Sequence, residues 1–240
     1  HRIYPLPHTD GKLQAGQVQQ LCKLYGNDET SPAPRVVYIS NTTELGTVYS
    51  REELLQLRQV CDEYGLLLYC DGARLACALA VSDVTFADYA TLCDAFTIGG
   101  TKNGLLFGEA LVIPDSRLMP AFRRCMKQQG AMLAKGRLLG VQFQAALSDG
   151  LYMALSRHAI ALAMRMKAAM AEMGIPFMID SPTNQQFPIF SNAQLEALGQ
   201  KYRFSFWQKM DDAHTAVRIC TSWGTKSENV DKLIEDIRQL

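Results

Sequence analysis

Two apolar runs end in the residue types that would do chemistry in this chain. Leu66-Leu67-Leu68-Tyr69-Cys70 runs into Asp71-Gly72-Ala73-Arg74, and Ala95-Phe96-Thr97-Ile98 runs into Gly99-Gly100-Thr101-Lys102-Asn103-Gly104. Each run reads as a buried strand, and the stretch 73–93 between them is helical in character. Strand–helix–strand makes the two strands parallel, with their carboxyl ends on one edge of a sheet. Open α/β sheets bind ligands at that edge, so Asp71 and Lys102 face one crevice. An amine and a carboxylate aimed at one crevice are what pyridoxal phosphate needs. The lysine supplies the Schiff-base nitrogen, and the carboxylate keeps the ring nitrogen protonated. Adjacent parallel strands lie about 4.8 Å apart, a gap that a flat ring spans. Gly72, Gly99, Gly100 and Gly104 strip side chains from both ends, which lets a ligand approach the backbone. Each charge also has an ordinary reading, the aspartate as a cap and the lysine as a solvated loop residue. Their pairing is what points to a cofactor.

The elements that must position them follow from pattern. Residues 35–40 form a β-branched and aromatic run behind Pro32 and Pro34, a strand. Ser50 and Glu53 form a capping box that opens a helix. Leu54, Leu57, Val60, Cys61 and Tyr64 follow at helical spacing until Gly65 ends it. Residues 109–113 read as a further strand. Repeated βα units predict an α/β fold, a mostly parallel sheet with flanking helices. Residues 116–147 read as helical, broken near Gly130 and bent at Gly136 or Gly140. A long helix over 151–173 carries Leu155, Leu162, Met166 and Met170 on a broad apolar face, for core packing or a dimer seam. Short strands at 177–179, 186–190, 204–206 and 216–220 then alternate with helices at 192–202 and 227–238, the last opened by a Thr225/Glu228 box. That is a small C-terminal α+β domain, so the expected units are 1–150 and 151–240.

Composition narrows the classes. The 240 residues are 48% hydrophobic and 20% charged, an ordinary globular balance. Twenty-four basic residues cancel 24 acidic ones and no basic stripe appears, which excludes nucleic acid as the expected partner. No apolar run reaches the length of a membrane span. The seven cysteines include no Cys-x-x-Cys pair; Cys61, Cys70, Cys77 and Cys93 sit in apolar settings as reduced thiols, which predicts a cytoplasmic protein. Histidines 1, 8, 158 and 214 lack metal-ligand spacing, so no metal is expected. No Gly-x-Gly-x-x-Gly follows a strand, against a dinucleotide.

The chain resembles the threonine aldolase and β-eliminating lyase group of fold-type-I pyridoxal-phosphate enzymes over nearly its whole length. The resemblance is carried by Asp71-Gly72-Ala73-Arg74, by the lysine of Gly100-Thr101-Lys102-Asn103-Gly104, and by Val217-Arg218-Ile219-Cys220-Thr221-Ser222-Trp223. Ser40-Asn41-Thr42 followed by Gly46 is a further match. It implies a pyridoxal-phosphate transferase-like large domain with Lys102 as the Schiff-base residue and Asp71 on the ring nitrogen. Thr101 is placed at the phosphate or is an ordinary turn threonine, and Asn41 and Thr42 line the pocket near the ring. Arg218, a guanidinium within an apolar strand, must meet an anion, and the resemblance makes that anion the substrate α-carboxylate, held by a bidentate pair. Arg74 is the second candidate for that carboxylate, or else pairs with a nearby acid.

Two departures matter. Aldolases carry a histidine after the Asn-Thr pair, where it meets the substrate hydroxyl; here Thr43 and then Glu44 follow. Retro-aldol cleavage needs a base for that proton, and Glu44 is the candidate substitute, which puts threonine itself in question as the substrate. Within 130–137 the family's glycine run is replaced, leaving Lys135 or Arg137 for a phosphate or partner-subunit contact. The implied activity is cleavage of the Cα–Cβ bond of a β-hydroxy-α-amino acid to glycine and an aldehyde, in a homodimer or homotetramer. β-Elimination, transamination and a non-catalytic fragment are the alternatives. His1 is no start methionine, and residues 2–6 already read as a strand closed by a Thr9-Asp10-Gly11 turn. The related enzymes carry an upstream segment with the phosphate-cupping loop and a ring-stacking aromatic. The chain is therefore expected to be an N-terminally incomplete piece that by itself binds cofactor weakly.

Overall fold

The computed structural model describes residues 2–240, so the reading drawn from His1 lies outside the described residues. Residues 2–6, expected as a strand, are irregular. Pro5 and Pro7 remove ladder donors, and side chains fasten the segment instead. Tyr4 Oη donates to the Pro32 carbonyl at 2.6 Å, and Arg2 Nη1 to Ser31 Oγ at 3.2 Å. Helix α1 (Ala15–Tyr25) was not anticipated: its cap is a reciprocal Gln14/Gln17 pair rather than one of the usual short polar residues.

The first sheet contains β1 (Val36–Ser40), β2 (Leu67–Asp71), β3 (Ala95–Gly99) and β4 (Glu109–Val112), in that spatial order. The first three are parallel and β4 runs antiparallel to β3. Helix α2 (Arg51–Tyr64) joins β1 to β2, with the Ser50/Glu53 box formed and Gly65 in the left-handed region at its end. The stretch expected as one helix between β2 and β3 is two, α3 (Leu75–Val81) and α4 (Phe86–Leu92). A second capping box, Thr85 with Asp88, starts α4 and forces the break. Strand burial alternates: Val37, Ile39, Leu68, Cys70, Phe96 and Ile98 join one core with Leu54, Leu57, Cys61, Leu75 and Tyr89. The opposite face is open, with Val36, Tyr38 and Leu111 exposed.

Helix α5 (Phe122–Gln128) ends before Gly130, and α6 (Arg137–Leu147) starts after Gly136, so the break falls over 129–136 and Gly140 lies inside a helix. Helix α7 (Leu151–Glu172) belongs to both cores, with Tyr152 in the first and Leu162, Met166 and Met170 in the second. The second sheet is antiparallel around β8 (His214–Cys220), flanked by β7 (Ser205–Lys209) on one side. On the other side β5 (Gln185–Gln186) and β6 (Ile189–Ser191) keep one register but are interrupted at Pro188, where a single strand had been expected. Residues 177–179 form only a bridge, Phe177 to Pro188. Helix α8 (Asn192–Gly199) is shorter than expected, and α9 (Ser227–Arg238) lacks the Thr225/Glu228 box. The Thr225 hydroxyl is already taken, accepting from Ser222 N at 2.8 Å. Among the described residues no single helix is long and apolar enough to cross a membrane.

Candidate active site

Asp71 ends β2 on the open sheet face, and Lys102 stands in the 3-10 turn Thr101–Asn103 that follows β3. The parallel crossover brings their loops together at one edge, as the sequence predicts. Glu109 stands opposite Gly99 on β4. Desolvation, then the negative charge of Asp71, raise the Glu109 carboxyl, while Lys102 lowers it.

The two loops are locked to one another. Asn103 Nδ2 donates to Gly99 O at 2.8 Å and to Ala73 O at 3.2 Å, and Tyr152 Oη donates to Gly99 O at 2.8 Å. Two of the glycines are required by this packing. A Cβ on Gly72 would sit 1.9 Å from Thr97 O, and one on Gly99 would sit 2.3 Å from Ala73 O. Gly72 N also donates to Thr97 Oγ1 at 2.8 Å.

The Asp71 carboxylate is held at both oxygens: Oδ1 accepts from Ala73 N at 3.0 Å and Oδ2 from Tyr38 Oη at 2.6 Å. Asn41 and Thr42 are placed differently from each other and from expectation. Asn41 is buried with its amide turned to the core, Nδ2 donating to Tyr89 Oη and Oδ1 accepting from Tyr49 N at 3.3 Å, rather than facing a ring. Thr42 is buried, and its Oγ1 has no partner among the described residues. Thr101 is exposed beside Lys102. Lys135 and Arg137 are exposed at the start of α6, whose Phe143 and Leu139 pack beside Gly100, before Lys102, and Gly108, after it.

Arg218, on β8, meets an acid of the chain itself. Its Nη1 donates to Glu44 Oε2 at 3.2 Å, and its guanidinium stacks 5.2 Å above the Trp207 ring. Arg218 Nε is buried without a partner among the described residues. Among the described residues Lys102 and Arg74 enter no salt bridge. Desolvation pushes the Cys220 thiol up, Arg74, Arg218 and Lys102 oppose the rise, and Glu44 adds to it. The loop bearing Glu44 is clamped from the second sheet's side, with Ser181 and Thr183 hydroxyls on Gly46 O at 3.1 and 3.0 Å and Gln185 Nε2 on Thr43 O at 3.2 Å. Beside it lies a cavity of about 570 Å³ walled by Tyr38, Ser40, Glu44, Leu45 and Trp207.

An amine without a salt bridge, a doubly anchored carboxylate, two arginines and an orphaned buried hydroxyl suit a cofactor with an aldehyde and a basic ring nitrogen, together with an amino-acid carboxylate. No group of three His, Cys, Asp or Glu among the described residues is placed to hold a metal. Sequence reasoning missed Asn103, Tyr38 and Tyr152. Asn103 adjoins the lysine within the glycine-rich motif, and Tyr38 shares Asp71's face by strand alternation; nothing local marked Tyr152.

The chain is 34% identical over 232 residues to a low specificity L-threonine aldolase of Pseudomonas sp. and 32% identical over 231 residues to that of Pseudomonas aeruginosa. Each match takes in 95% of this chain but only 66% of the relative, so the chain spans just under two thirds of their length. A solved Leishmania major threonine aldolase superposes with a TM-score of 0.97 at 39% identity, over 100% of this chain and 70% of that one. Mouse CSAD, at 14% identity and a TM-score of 0.69 over 96% of this chain and 56% of its own, shares the fold. A family model described as beta-eliminating lyase matches residues 2–193. With that match spanning both the Asp71 and the Lys102 loops, the chain belongs to the beta-eliminating lyase family.

Proposed function

We propose that the protein is a pyridoxal-phosphate-dependent lyase that cleaves the Cα–Cβ bond of a β-hydroxy-α-amino acid to glycine and an aldehyde. The observation that carries this reading is the placement of Asp71 at the end of β2 and Lys102 in the turn after the adjacent parallel strand β3, with Asn103 joining the two loops at Ala73 O. The similarity to low specificity L-threonine aldolases supports it. Lys102 binds the cofactor aldehyde, Asp71 holds the ring nitrogen, and Thr101 donates to the phosphate. When bound, the cofactor supplies an electron sink for the pair left at Cα. Arg218, with Arg74 as the second cation, orients the substrate carboxylate, and Glu44 takes the proton of the substrate hydroxyl. Thr42 contributes its free hydroxyl to the pocket wall.

The units 1–150 and 151–240 are supported by the two sheets and their two cores, with α7 of the second unit also reaching the first core through Tyr152. Exposed Leu133, Leu138, Val141 and Leu147 support a homo-oligomer, and seven free cysteines support a cytoplasmic setting. Borohydride treatment of the full-length gene product with pyridoxal phosphate, followed by peptide mapping, is expected to label Lys102. A label on Lys127 or Lys135 overturns the site. Product analysis separates this activity from the β-elimination that the family description names: glycine plus an aldehyde in one case, a keto acid plus ammonia in the other.

A further inference from the structure

We infer that Tyr38 is a positioning residue for Asp71, fixing the carboxylate that takes the cofactor's ring nitrogen; the inference rests on the cofactor reading above. Tyr38 pairs with Tyr69 and Ser40 with Asp71 in the β1/β2 register, so Tyr38 and Asp71 share the open face and meet diagonally. The phenol spans that diagonal to reach Oδ2 at 2.6 Å, while the Ala73 amide holds Oδ1. Neither side-chain torsion of Asp71 turns without breaking one of these bonds. Each carboxylate oxygen retains a further acceptor site, so a protonated ring nitrogen is accommodated as a third donor.

Three observations separate this role from ordinary packing. Tyr38 is 59% exposed, so burial explains little of its presence. Its contact with Tyr69, centroids 5.3 Å apart, leaves the hydroxyl free to point at Asp71. Glu109 places a second negative charge near Asp71, and a donor on Asp71 offsets that repulsion. Partial desolvation of the hydroxyl at the sheet surface, then the bond to Asp71, raise the Tyr38 phenol above its ordinary value.

The test uses the full-length gene product and two ligands: pyridoxal phosphate, and its 1-deaza analogue, in which carbon replaces the ring nitrogen. Affinities are read by absorbance titration, independent of turnover. Tyr38→Phe keeps the ring and is expected to weaken pyridoxal phosphate about tenfold, the scale of one hydrogen bond to a charged group, and to leave the analogue unaffected. Equal weakening of both ligands, or of neither, overturns the inference. An unmodified protein that binds pyridoxal phosphate no better than the analogue removes the Asp71 assignment and this inference with it. Should Tyr38→Phe fail to fold, 3,5-difluorotyrosine at position 38 preserves shape while changing donor strength. It is expected to change affinity for pyridoxal phosphate alone, and an unchanged affinity overturns the inference.

Discussion

Arg218 and Glu44 stand 174 residues apart in sequence and meet through one Nη1–Oε2 contact of 3.2 Å. The pair joins β8 to the loop after β1, and Glu44 is largely solvent-exposed. Exposed pairs of this kind contribute about 0–1 kcal/mol. A substrate carboxylate that engages the guanidinium bidentately forms stronger bonds than that, so Glu44 does not bar it.

Arg218→Ala is therefore expected to lower kcat/KM by roughly one to two orders of magnitude, the loss of a charge-assisted hydrogen bond. Cofactor absorbance should persist, because Arg218 is assigned to the substrate and not to the ring. Steady-state kinetics check this; unchanged kcat/KM would make the arginine a purely structural partner of Glu44 and Trp207.

Asn103→Ala removes the side-chain hydrogen bond that ties the Lys102 turn to Ala73 O in the Asp71 loop, together with a buried one to Gly99 O at the end of β3. Gly99 O keeps Tyr152, but Ala73 O loses its side-chain donor. We expect a destabilisation of about 2 kcal/mol, measured by denaturant unfolding, together with weaker cofactor binding. A loss of stability without any change in affinity would show that the turn holds Lys102 in place unaided.

Gly72→Ala places a methyl group 1.9 Å from the Thr97 carbonyl. Backbone cannot swing aside as a flexible side chain does, so the loss should be about 3 kcal/mol, at the upper end for overpacking. Gly140, inside α6 with nothing near its missing Cβ, is the control. Gly140→Ala should stabilise by about 0.5–1 kcal/mol through helix propensity. Thermal unfolding of the pair separates a glycine required by contact from one that is not.

The strands and their parallel order were legible because buried strands carry compact apolar runs and because crossover connections have a fixed hand. That sufficed to put Asp71 and Lys102 at one edge. Asn41 was misread because a polar residue at a strand end carries no periodicity to say which way it faces; two tyrosine-bearing segments draw its amide inward. The packing role of Gly72 and Gly99 was not legible, because clearance for a ligand and clearance for a neighbouring backbone leave the same mark in sequence. Glu44 as the partner of Arg218 was out of reach, since only the docking of the second sheet's segment 181–186 on the 43–46 loop brings them together. The split of α3 from α4, in contrast, was written in the Thr85/Asp88 spacing.

That same capping box gives the acid limb of stability a defined contributor. Asp88 Oδ2 accepts from Thr85 Oγ1 at 2.7 Å and from Thr85 N at 2.9 Å, and Oδ1 accepts from Arg51 Nε at 2.9 Å. The Thr85 hydroxyl first, then Arg51, hold the Asp88 carboxyl at about 2, below its ordinary 3.8. In the folded chain it stays ionised where the unfolded chain already takes up its proton. The unfolded state thus binds more protons between the two values, and stability rises with pH across that window. The contribution is fully present above the ordinary value and is lost as pH falls through about 2. Asp88→Asn keeps an acceptor for the cap but no longer titrates. Unfolding curves taken across the acid range should show a shallower fall for Asp88→Asn than for the parent chain, with the two slopes equal above about pH 5. An acid limb identical in both chains would mean that the Thr85 and Arg51 contacts do not hold the carboxylate in solution.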